Sequence, residues 1–124
     1  MIRRLRRRNL LVAGAAAAGL AAAFALAGCA AAPGPVGTWG SSAEGKPQLV
    51  LEANGSLNGT DGCNRLTGSW SEKGGTITFG QVASTRMACV GVDTWLIDLA
   101  TARVDGSTMH VHNAAGKEIG TLGR

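Results

Sequence analysis

The sequence predicts a mainly β domain, a small antiparallel barrel or strongly curved sheet with one short α-helix, placed behind an export leader. Three observations predict it. Short stretches alternate apolar and polar residues. Gly-bearing turns recur about every eight to twelve residues, the spacing of a barrel or sandwich. A basic and then apolar leader runs up to Cys29.

The elements follow in chain order. Leu49, Leu51 and Ala53 alternate with Val50 and Glu52, the period of a half-buried strand. Asn54-Gly55 predicts a hairpin turn, because both residues tolerate positive φ, and Ser56 to Asn58 return as the partner. Leu66 to Trp70 and Thr76 to Phe79 form a second pair around Glu72-Lys73-Gly74-Gly75. Val92, Trp95, Leu96, Leu99 and Ala100 fall on one helical stripe, which predicts a helix over about 92–102 with Asp93 as its cap. That stripe reads as core packing. Met109 and Val111 alternate with His110 and His112, and Ala115-Gly116 turns the chain into a last strand, Glu118 to Leu122.

The leader, residues 1–28, has three parts. Residues 1–9 are basic, Leu10 to Gly28 is a continuous run mainly of Ala, Leu and Gly, and Leu26-Ala27-Gly28-Cys29 closes it. A permanent membrane-spanning helix is the alternative, but the run is weakly hydrophobic and no charged stop-transfer segment follows. Leu-Ala-Gly-Cys resembles a lipobox, the site read by lipoprotein signal peptidase. The resemblance implies cleavage after Gly28 and a diacylglyceryl thioether on Cys29. Two acyl chains hold a protein stably where one does not. Residues 29–35 would then be the lipidated cysteine and an Ala/Pro/Gly tether, whose six residues after Cys29 reach at most ~20 Å. The domain is expected on the extracytoplasmic side of the cell membrane. Arg7-Arg8-Asn9-Leu10-Leu11 resembles a twin-arginine signal, and general secretion remains the alternative route.

Charge removes one class of partner. The net charge of +4 comes from the leader's five arginines. From Cys29 onward seven cations face eight carboxylates, with no basic stripe, so no nucleic-acid partner is expected. Domain 36–124 is short, and its large aromatics are few: Trp39, Trp70, Phe79 and Trp95. Chains of this size are marginal without help. Cys63 and Cys89, an even pair in an exported domain, are the candidate disulfide, and two buried thiols are the alternative. The oxidising compartment favours the bond.

Gly62-Cys63-Asn64-Arg65, then Gly68-Ser69-Trp70, Ile77-Thr78-Phe79-Gly80 and Ala83-Ser84-Thr85-Arg86-Met87-Ala88-Cys89, resemble the META domain of heat-shock-protein HslJ-like lipoproteins. Gly37-Thr38-Trp39 and the closing strands fit too, so the resemblance covers nearly all of 36–124. It implies a small antiparallel barrel with one helix, in an envelope protein linked to stress, with no established enzymatic activity.

The motif offers candidate site residues. Asp61 and Asn64 suit a tight loop, since their side chains bond nearby backbone donors. A 63–89 bridge would bring Arg65 and Arg86 together, with Asp61 or Glu52 as carboxylate partners. Such a patch either recognises an anion or forms a lattice that locks the loops, and the lattice is the preferred reading. His110 and His112 share one strand face and could chelate zinc or copper. No third ligand is identifiable, so they are weak metal candidates on a solvated face. No nucleophile elbow, zinc-protease helix, phosphate loop or dinucleotide fingerprint occurs. The expectation is a monomeric, non-enzymatic module without cofactor, holding an envelope protein or small ligand. A structural envelope component is the alternative.

Overall fold

A computed structural model describes residues 34–124. The expected leader, its lipobox-like end and Cys29 lie outside the described residues. Eight antiparallel strands form one meandering sheet: β1 Gly37–Gly40, β2 Gln48–Leu51, β3 Ser56–Thr60, β4 Arg65–Lys73, β5 Thr76–Ser84, β6 Thr101–Asp105, β7 Thr108–His112 and β8 Glu118–Gly123. Each strand pairs with the next, and the sheet curls into a nearly closed barrel. Among the described residues no helix is long and apolar enough to cross a membrane.

The core follows from the alternation. Trp39, Leu49, Leu51, Leu57, Leu66, Ile77, Phe79, Ala102, Met109, Val111 and Leu122 turn to the interior, while their strand neighbours face outward. At roughly 25 cal/mol per Å² of apolar surface removed from water, this filling is the main stabilising term. Leu96 and Leu99 complete it from the connection between β5 and β6.

Local chemistry shapes the turns. Asn54 Oδ1 accepts the Ser56 N–H at 2.9 Å, as the Asn-Gly hairpin requires. The second hairpin is tighter than expected. Strands β4 and β5 run up to Lys73 and from Thr76, leaving only Gly74-Gly75, both at positive φ (59° and 86°), where other residues are strained. At the last turn Asn113 Oδ1 accepts the N–H groups of Ala115 and Lys117, each at 3.0 Å.

The expected α-helix over 92–102 is not formed. Trp95–Asp98 make a single 3₁₀ turn, its cap position is Thr94 rather than Asp93, and no side chain caps it. Leu99 is already extended, and Ala100 enters the sheet: its N–H bonds His112 O at 2.9 Å and its carbonyl accepts from Phe79 at 3.0 Å. Thr101–Asp105 is then the strand β6 that joins β5 to β7. A helix this short has little stability of its own, whereas the missing strand would leave two sheet edges open. The apolar stripe still serves the core, because a turn followed by a strand also points Leu96 and Leu99 inward. The half-buried Trp95 lies flat on β8, where a Cβ added to Gly120 would sit 2.6 Å from its ring.

Candidate functional site

The sheet places the β3–β4 loop beside the segment that follows β5. A disulfide joins them: Cys63 and Cys89 are bonded, with Cα atoms 5.8 Å apart. The alternative of two free thiols is excluded.

The loop is built around one carboxylate. Asp61 is fully buried, and its Oδ1 accepts the backbone N–H groups of Cys63 (2.8 Å) and Asn64 (2.5 Å). Its Oδ2 accepts from Asn64 Nδ2 at 3.3 Å, and its own N–H bonds Asn64 O at 3.1 Å. Burial of a carboxylate is tolerable only because its oxygens are hydrogen-bonded, here by three donors. Gly62 permits the turn, since a Cβ there would lie 2.8 Å from Gly45 O.

Asn64, also buried, carries the order across to the second segment. Its Oδ1 accepts Met87 N–H at 2.5 Å and Thr85 Oγ1 at 3.2 Å, and Nδ2 donates to Met87 O at 3.5 Å. Thr85 in turn accepts Arg65 N–H at 2.9 Å through its hydroxyl. Thr85 and Met87 were not singled out from the sequence, although both sit inside the second cysteine motif. Met87 acts through its backbone, which leaves no side-chain signal.

The structure corrects the expected ion pairs. Asp61 spends its oxygens on the loop, and Glu52 stands at the opposite end of the barrel, where its carbonyl accepts Trp70 Nε1 at 2.9 Å. Neither pairs with Arg65 or Arg86. Both guanidiniums stand exposed on neighbouring segments, beside the half-exposed Met87 and the fully exposed Val90. A locked lattice and an exposed cationic, apolar rim are therefore separate parts of one apex.

His110 and His112 face Glu118 of β8. Its Oε1 lies 3.1 Å from His110 Nδ1 and 3.9 Å from His112 Nε2. Among the described residues no group of three such side chains is arranged to hold a metal ion. Trp39 is fully buried in the core.

Fold and apex together define a small disulfide-stapled antiparallel β-barrel with a buried Asp-Asn loop lock. The family model for the META domain matches residues 23–123, and the chain belongs to that family. No curated protein and no solved structure matches it.

Proposed function

We propose that this is a membrane-anchored envelope lipoprotein whose META domain is a non-catalytic binding module that holds or protects envelope proteins. The observation that carries the reading is the apex rim. Arg65, Arg86, Met87 and Val90 project into water from segments pinned by the disulfide and by Asn64. Neither apolar side chain belongs to the core, and with the two guanidiniums they form the surface offered to a partner. Membership of the META family supports an envelope or stress-related role, and the leader supports the anchor on Cys29.

Two measurements test it. Peptide mass spectrometry of the membrane fraction should find Cys29 as a lipidated N-terminus; unmodified Cys29 still joined to residues 1–28 would refute the anchor. Crosslinking in cells, with and without heat, should capture one dominant partner or a set that grows with heat. No crosslinked protein under either condition would remove the binding reading.

A further inference from the structure

The registers of β2, β3 and β4 set three outward side chains in one row across the sheet. Gln48 pairs with Thr60 and Thr60 with Arg65, while their neighbours Leu49 and Leu66 turn inward. Cross-strand neighbours on one face stand about 5 Å apart at Cβ. Val50 and Asn58 form the next row along β2 and β3. With the loop that carries Asn64, these residues line a groove of about 370 Å³ on the outside of the barrel.

The polar groups of the groove are held in place but left unused. Thr85 accepts the Arg65 N–H through its hydroxyl and gives its own N–H to the Arg65 carbonyl at 3.2 Å, which fixes the base of that side chain. Among the described residues, the Arg65 guanidinium and the carboxamides of Gln48 and Asn58 make no hydrogen bond or ion pair. Thr60 Oγ1 accepts the Gly62 N–H at 3.0 Å, which leaves its own proton free to donate. We propose that this groove binds a small hydroxylated carboxylate of the size of a sugar acid.

The chemistry selects that ligand. Among the described residues lining the groove, Arg65 alone is charged. Its planar fork matches a carboxylate bidentately, and one guanidinium balances a carboxylate's single charge. A phosphate monoester carries about −1.5 to −2 at neutral pH and would be only partly neutralised there. Two carboxamides and a hydroxyl both donate and accept, as the hydroxyls of a sugar ring do. Val50 offers an apolar strip to the ring carbons. The volume lies near the lower end of small-molecule pockets, which suits a single ring. The Asp61-Asn64 lock holds the wall of the groove before any ligand arrives, so little ordering is lost on binding.

The groove shares only Arg65 with the apex rim and goes beyond the protein binding proposed there. To test it, the full-length protein, isotope-labelled and held in detergent, is titrated with glucuronate and followed by NMR. Saturable shifts are expected in the side-chain amides of Gln48 and Asn58 and in Arg65 Nε–H. Arg65→Ala should weaken binding about tenfold, and Gln48→Ala or Asn58→Ala about fivefold. The same spectra report whether each variant is folded. Glucose keeps the hydroxyls and inorganic phosphate keeps only the charge, so each should bind at least about tenfold more weakly than glucuronate. No saturable shift in the parent protein, shifts confined to other parts of the barrel, equal binding of glucose or phosphate, or undiminished binding by both Arg65→Ala and Gln48→Ala would each overturn the proposal. Gln48 stands off the rim, so Gln48→Ala should keep its crosslinked partners in cells. A failed titration therefore removes the groove alone, and absent crosslinks remove the apex reading alone.

Discussion

The carboxamide of Asn64 holds both backbone groups of Met87, accepting its N–H at 2.5 Å and donating toward its carbonyl at 3.5 Å. A side chain thus does the work of a strand partner, twenty-three positions away in sequence. It continues the pairing of β4 with the chain beyond β5, and the disulfide two residues further on closes the same joint.

Asn64→Ala leaves Oδ2 of the buried Asp61 and the part-buried Met87 N–H without their partners. A loss of about 2–3 kcal/mol is expected, read as a lower urea midpoint with unchanged slope. Asn64→Asp should also destabilise, since it brings a second carboxylate beside Asp61 and removes the donor to Met87 O. Wild-type stability in both variants would mean that the loop lock contributes nothing.

Replacing Cys63 and Cys89 by serine together frees a loop with a sequence separation of 26. The chain-entropy estimate for a loop of that length is about 3–4 kcal/mol. Equilibrium unfolding of the double variant against the oxidised parent checks the figure.

Gln81, at φ 48°, belongs to a bulge of β5, where Gln81 and Val82 stand opposite the single residue Gly68 of β4. Left-handed backbone is strained for glutamine and free for glycine. Gln81→Gly should therefore raise stability by up to about 1 kcal/mol. Gly68→Ala should lower it, because the added Cβ would meet Gly80 O and Val82 Cα at 2.9 Å. Calorimetry of the pair gives opposite signs if the bulge is built as described.

Arg65→Ala and Arg86→Ala remove exposed side chains that make no ion pair with Asp61 or Glu52. Stability should stay within about 0.5 kcal/mol of the parent. Crosslinked partners should be lost in cells. Loss of folding in both variants would instead assign the arginines to the lattice.

Most of the strands were legible in sequence because alternation and turn chemistry are local. Leu49 and Leu51 before Asn54-Gly55, and Met109 and Val111 before Ala115-Gly116, state their own period and their own reversal. The cysteine pair was legible from count and compartment. The stretch 92–102 was not. Its apolar spacing satisfies a helix, and only the demand of β5 and β7 for a strand between them turned Thr101–Asp105 into β6.

The site divides the same way. Residue type alone determined that Asp61 and Asn64 would bond a tight loop, since both carry short side chains that reach nearby backbone. Which distant groups they hold, which carboxylates Arg65 and Arg86 go without, and that β1 and β8 stop short of pairing were decided by the tertiary structure. Those relationships join residues far apart in the chain, and their geometry exists only once the curled sheet has set its register.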